Sequence, residues 1–179
     1  GQTTSTNVVV TVTGSAVVPP VTNGLKLQLA ADLGVTTDGS GAVTSWIDQS
    51  GTGNNAAPTS ATTSPLVVTN VINGKPVLRF SGTEQFLEVP TDNTGFTAGD
   101  LSTFALVKFS NYSTYRTVWS KTQNYLAAPI DWYFSVSSGV ANLFRGNGTA
   151  YGNVSGTAPA AGAFVTVGAK ISGTAVSHY

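Results

Sequence analysis

Short runs of β-branched and aromatic residues, separated by turn-forming residues, recur at regular intervals from residue 25 to the end of the chain. This spacing is typical of antiparallel sandwiches and barrels, since each run has the length of one strand. No segment shows sustained helical periodicity. The pattern therefore predicts an all-β antiparallel fold with strands at 25–29, 43–47, 66–72, 76–80, 86–89, 103–109, 117–120, 132–136, 142–145, 164–171 and 174–179.

The pair Asn73-Gly74 is the clearest turn signal in the chain. Both residue types tolerate the positive φ that a type I′ turn requires, and such a turn joins two antiparallel strands with only two residues. The sequence therefore predicts a tight hairpin between the runs at 66–72 and 76–80.

A linker containing two prolines divides the chain. Residues 1–14 hold one strand-like run, and residues 15–23 form the linker, in which Pro19-Pro20 enforces extended backbone without ladder donors. The strand at 1–14 either ends a preceding domain or pairs with the main domain, 24–179, as an extra edge strand. The final run, 174–179, has no return strand, so we expect the main domain to be incomplete at its C-terminus.

The charge and composition of the chain exclude several classes of function. It has 8 basic and 8 acidic residues, and the basic ones are scattered singly, whereas a nucleic-acid surface needs clusters of them. The absence of cysteine excludes disulfides and thiolate metal sites. No apolar run has the length of a membrane span. The abundance of Thr, Ser, Asn and Gly favours a secreted or cell-surface bacterial protein, whose signal peptide would lie outside this sequence.

Two stretches resemble the laminin-G-like, or concanavalin A-like, jelly-roll modules of secreted bacterial proteins: GLKLQLAADLGVTTDGSGAVTSWIDQSGTGNNA at 24–56 and PLVVTNVINGKPVLRFSGTEQFLEV at 65–89. The strand at 1–14 resembles the last strand of an immunoglobulin-like repeat. The resemblance implies two antiparallel sheets packed face to face. It also implies carbohydrate recognition or an adhesive spacer role in a multidomain protein, with a structural calcium in some members of the family.

The residues that catalysis on this fold would need are missing from the sequence. Glycosidases with this sandwich need carboxylates two residues apart on one strand face. The only glutamates are Glu84 and Glu88, which a strand places about 13 Å apart, too far for a retaining or an inverting pair. His178 is the only histidine, so neither a Gln-x-His lyase motif nor a multi-histidine zinc site can form. The sequence therefore predicts a protein that is not an enzyme.

The stretch SWIDQSGTGNNA at 45–56 combines a tryptophan, an aspartate and glycine-spaced polar residues. Trp46 and Asp48 share one strand face, and we expect Trp46 to be buried. Asp48 is well placed to accept hydrogen bonds from N–H groups two residues on, which predicts a structural corner. A calcium site is the alternative, although the stretch lacks EF-hand spacing. Its candidate ligands are Asp48, Asn54, Glu84 and Asp92.

Aromatic and planar polar side chains are concentrated in residues 110–133. Sugars stack their C–H faces on aromatic rings, and the polar side chains bind the hydroxyls. Zero net charge gives no long-range attraction for acidic polymers. We therefore expect a carbohydrate-binding module that binds a neutral glycan weakly; the alternative is a structural or adhesive spacer between neighbouring domains. The candidate ligand-binding residues are Tyr112, Tyr115, Arg116, Gln123, Asn124, Tyr125, Asp131 and Trp132.

Overall fold

The computed structural model describes residues 22–90, 96, 100–121, 132–146, 151–172 and 175–178. This part of the chain is all-β apart from a single 3₁₀ turn at Ala61–Thr63. The strands are β1 Val35–Thr37, β2 Val43–Trp46, β3 Leu66–Ile72, β4 Lys75–Arg79, β5 Leu101–Lys108, β6 Arg116–Lys121, β7 Trp132–Ser137, β8 Val140–Gly146, β9 Tyr151–Thr157, β10 Phe164–Ser172 and β11 Ala175–His178.

The strands pair into four antiparallel sheets. The largest has the order β6-β7-β8-β9, and a three-stranded sheet has the order β11-β10-β5. β1 pairs with β2 and β3 pairs with β4 as two-stranded ribbons. Every pairing between these strands is antiparallel, which confirms the all-β antiparallel prediction.

The two larger sheets share one hydrophobic core. The four-stranded sheet contributes alternate residues of β7 and β8, and the three-stranded sheet contributes alternate residues of β10, so each sheet turns one face inward. The packing is therefore sandwich-like. The buried residues of this core are Phe109, Phe134, Val136, Ala141, Leu143, Val167 and Ala169.

The predicted hairpin is confirmed between β3 and β4. Asn73 and Gly74 have φ values of 48° and 75°, as a type I′ turn requires, and Ile72 pairs with Lys75 directly across it. A register shift follows between Val68 and Ile72.

Two predicted strands, at 25–29 and 86–89, are not regular strands in the structure. The backbone of the first bonds to groups of the 48–54 segment instead of to a neighbouring strand, as the Gln28 carbonyl accepting from Gln49 N at 2.8 Å shows. The second exchanges hydrogen bonds with an irregular segment, through Glu88 and Ala57 at 2.8 and 2.9 Å. In both cases the alternation of side chains is present but no strand lies alongside.

Two strands were not predicted. β1 has only three residues, and β9 has the sequence YGNVSGT, whose two glycines, asparagine and serine are typical of a loop. Both are defined by their partners, β2 and β8. The strand predicted at 1–14 and most of the linker at 15–23 lie outside the described residues, so the domain boundaries stay predictions.

Candidate functional site

The corner formed by residues 48–55 is built around the buried carboxylate of Asp48, whose side chain is 7% exposed. Oδ1 accepts from the backbone N–H groups of Gln28 and Ser50, both at 2.9 Å. Oδ2 accepts from Asn54 N at 3.0 Å and from the hydroxyls of Ser50 and Thr52 at 2.7 and 2.9 Å. The prediction that Asp48 forms the hydrogen bonds of a turn is therefore confirmed.

These donors keep Asp48 charged inside the corner. Burial on its own would raise the pKa of the carboxyl group, but the hydrogen bonds from Gln28, Ser50 and Asn54 outweigh it and lower the pKa from 3.8 to about 2. A carboxylate that accepts several N–H groups is stabilised in its charged form. The corner is therefore held by an ionised group with a full set of donors.

The same corner holds the segment that precedes β1. The Lys26 carbonyl accepts from Asn54 Nδ2 at 2.7 Å. Thr52 Oγ1 lies 2.8 Å from the same carbonyl, so its single proton is shared between Lys26 and Asp48 Oδ2. Trp46 Nε1 donates to the Ala30 carbonyl at 2.8 Å. Trp46 is half-buried, less than expected, and it is not part of the core that the two larger sheets share.

The geometry of the corner does not favour the alternative calcium site. Both oxygens of Asp48 already accept protein donors, which a cation would have to displace. Glu84 is exposed, and Asp92 lies outside the described residues. Across the described residues, no three acidic or histidine side chains lie together in a group that could hold a metal ion. Calcium stays an untested alternative.

We expect the protein to lose stability in acid as Asp48 becomes protonated. Its folded-state pKa of about 2 lies below the ordinary value of 3.8, so its contribution is complete above 3.8 and is lost as the pH falls through about 2. Linkage makes this loss about 2 kcal/mol. Urea unfolding followed by tryptophan fluorescence at about pH 7 and about pH 2.5 measures it.

Asp48→Asn should remove that part of the acid sensitivity. Asp32 and Asp38 are surface carboxyls whose pKa values are also lowered, by the bond from Lys75 and by the donors of Ser40 respectively. Their protonation in acid lowers the free energy of unfolding of wild type and variant equally. Equal acid sensitivity in the two proteins would contradict the assignment to Asp48.

The predicted ligand-binding residues of the loop before β6 have different environments. Tyr112 is half-buried, with its ring 5.5 Å from Phe109 and its hydroxyl donating to the Pro159 carbonyl. Tyr115 is 69% exposed. Arg116 donates to the carbonyl of Gly82 and to Oδ1 of Asn111, both at 2.8 Å. Tyr115 is therefore the ring of this loop that presents most of its surface to solvent.

Trp132 lies under the surface, on β7. It is buried, and its Nε1 donates to the Phe96 carbonyl at 3.0 Å. The remaining predicted ligand-binding residues, Gln123, Asn124, Tyr125 and Asp131, lie outside the described residues. The described members of the predicted set therefore lie in different environments, with Tyr115 exposed and Trp132 buried.

A different surface combines aromatic and polar side chains, the groups that the sequence predicted for a binding site in the 110–133 region. It is the solvent side of the four-stranded sheet, named here the β6–β9 outer face, and its side chains alternate with the core residues of the same strands. Each of its residues is uncharged. They are Thr117, Ser120, Tyr133, Ser135, Ser137, Val140, Asn142, Phe144, Asn153, Ser155 and Thr157.

Aromatic and polar groups occupy neighbouring rows of this face. Tyr133 and Phe144 are paired across β7 and β8, with ring centroids 4.3 Å apart and planes inclined by 15°. In the next row, Ser155 Oγ donates to Asn142 Oδ1 at 2.6 Å. Asn153, which pairs with Phe144 in the aromatic row, donates from Nδ2 to Ser155 Oγ at 3.1 Å. The face can therefore offer ring stacking and hydrogen bonding side by side.

Ser135 lies at the centre of the face, with 0% of its surface exposed. Its Oγ has no hydrogen-bond partner among the described residues. Sequence reasoning missed this face because the concentration of aromatic residues pointed to 110–133, whereas most residues of the face lie after that range. The signal that could have found it is the alternation of polar and apolar residues in 132–145.

Comparison of the chain with protein-family models, with curated proteins and with solved structures found no match. The described part of the chain also contains no helix that is long and apolar enough to cross a membrane.

Proposed function

We propose that the protein is a carbohydrate-binding module with a jelly-roll topology, part of a multidomain secreted or cell-surface bacterial protein, and that it binds a neutral glycan weakly. The observation that carries the proposal is the composition of the β6–β9 outer face. Stacked aromatic rings, carboxamides and hydroxyls, without a formal charge, are the groups that bind the C–H faces and hydroxyls of a neutral sugar.

The antiparallel sandwich-like packing supports the jelly-roll topology, and it gives the binding residues a rigid support. Side chains on paired strands are held at fixed spacings, which limits the ordering that a ligand must impose. The exposed ring of Tyr115 offers a second contact beside the sheet. Binding requires no metal in this proposal, because none of its contacts involves a carboxylate.

An adhesive or structural spacer is the second candidate. The solvent side of β5 carries Phe104, 71% exposed, and Leu106, 58% exposed. Exposed apolar side chains next to each other are typical of surfaces that contact another protein or domain. A spacer would use this surface against a neighbouring domain and would bind no glycan.

Isothermal titration calorimetry against neutral and acidic polysaccharides distinguishes the two candidates. We expect a dissociation constant between about 1 µM and about 1 mM for a neutral glycan, because ordering a flexible chain on an open surface offsets much of the contact energy. Removal of divalent cations with EDTA should leave this dissociation constant unchanged. Tight binding to an acidic polymer that disappears in salt would contradict the neutral-ligand proposal, and no binding at all would leave the spacer.

A further inference from the structure

The β6–β9 outer face has the dimensions of a short oligosaccharide. From Tyr133 to Ser137 the strand rises by about 13 Å, and from β6 to β9 the sheet extends about 14 Å. One pyranose ring covers only part of this area, whereas a disaccharide or trisaccharide covers most of it.

The polar row next to the aromatic pair contains groups whose hydrogen-bonding capacity is only partly satisfied within the protein. Within the described part of the chain Ser135 Oγ has no hydrogen-bond partner, although a buried hydroxyl without one is unfavourable. Asn142 Oδ1 accepts from Ser155 Oγ, whereas its Nδ2 donates, among the described residues, only to the Val140 carbonyl, at 3.5 Å. These two groups are adjacent, since Asn142 pairs with Ser135 across β7 and β8.

We propose that this face binds an uncharged disaccharide or trisaccharide unit of a longer glycan, with one sugar ring on the Tyr133–Phe144 pair and the next above Ser135 and Asn142. Reorientation of the Asn142 amide, which gives up its bond from Ser155 Oγ and the long bond from its Nδ2 to Val140, opens Ser135 to the ligand. A sugar hydroxyl then accepts a hydrogen bond from Asn142 Nδ2 and forms a second hydrogen bond with Ser135 Oγ. The inference rests on the proposed function and specifies its ligand and its site.

A series of neutral oligosaccharides of increasing length tests the size of the site. Gluco-, galacto-, manno- and xylo-oligosaccharides of one to six sugars are titrated into the full chain by calorimetry. For the series that binds, the affinity should rise from monosaccharide to trisaccharide by about tenfold or more and then level off. A continued rise to six sugars, or equal affinity for the monosaccharide, would overturn the proposed extent of the site.

Alanine variants test its position. Phe144→Ala and Asn142→Ala should each weaken binding of the trisaccharide about tenfold, a change that corresponds to 1.4 kcal/mol. Phe104→Ala is the matched control, because it removes the same ring from the other sheet, and it should bind like wild type. If Tyr115→Ala abolishes binding while Phe144→Ala does not change it, the loop is the site and this inference fails although the proposed function stands.

Ser135→Ala separates a binding role from a structural one. Because the Ser135 hydroxyl is buried without a partner, its removal should leave the urea midpoint unchanged or raise it. Binding should nevertheless weaken about threefold to tenfold. A variant that binds as tightly as wild type would overturn the role of Ser135. If the folded wild-type chain binds none of these oligosaccharides, both the inference and the proposed function fail.

Discussion

Asp48→Ala should destabilise the protein by about 3–5 kcal/mol. The substitution leaves the backbone N–H groups of Gln28, Ser50 and Asn54 without their acceptor in a buried corner. A buried donor without a partner costs more than its hydrogen bond contributed, because it has also lost its water. The effect is large against the total stability of a domain of this size, about 5–15 kcal/mol.

Urea unfolding of the wild type and Asp48→Ala measures this loss, and Asp38→Ala is the control. Asp38 also accepts from two backbone N–H groups and a hydroxyl, those of Ser40 and Ala42, at 2.7–3.0 Å. Its turn is exposed, so water replaces the lost acceptor and the variant should lose far less stability. Similar losses of stability in the two variants would show that burial is not the reason why the Asp48 corner stabilises the protein.

The sequence was sufficient to predict the corner because its causes are local. Asp48 lies within six residues of Ser50, Thr52 and Asn54, and short polar side chains on glycine-spaced backbone form such turns irrespective of the rest of the fold. The hairpin at Asn73-Gly74 was predictable for the same reason, since the φ values are a property of the two residues.

Contacts between distant segments were not predictable in this way. The run at 25–29 alternates as a strand does, yet Gln28 bonds to Asp48, which is 20 residues away. Its partner is a side chain at a corner, and alternation within one segment carries no information about what lies beside it. The prediction of a regular strand was therefore wrong, although its half-buried side chains were expected.

The β6–β9 outer face depends on register between strands. Tyr133 and Phe144 form a pair only because β7 and β8 are aligned by the turn at residues 138–139, where Ser138 and Gly139 have positive φ values of 49° and 78°. A shift by one residue would move each ring to the core side of the sheet. Alternation within each strand indicates the side that a ring faces, but only the pairing shows that the two rings lie side by side on the outer face.

Phe134→Ala should destabilise the protein by about 3–5 kcal/mol, because it leaves a cavity in the core that the two larger sheets share. Phe134 is 1% exposed, and its ring stacks on Trp119 with centroids 5.1 Å apart. The substitution therefore removes buried area and an aromatic contact together.

The comparison with Phe104→Ala makes this result a test of the sandwich-like packing. Phe104 is 71% exposed, and its ring lies over Gly168, where an added Cβ would come within 2.8 Å of it. Its loss should cost less than about 1 kcal/mol, since solvent already reaches most of the ring. Equal losses in urea unfolding would mean that the sheets do not share the core. If the losses differ as expected, Phe134→Ala should still bind the trisaccharide normally per folded molecule, because the β6–β9 outer face keeps all its own groups.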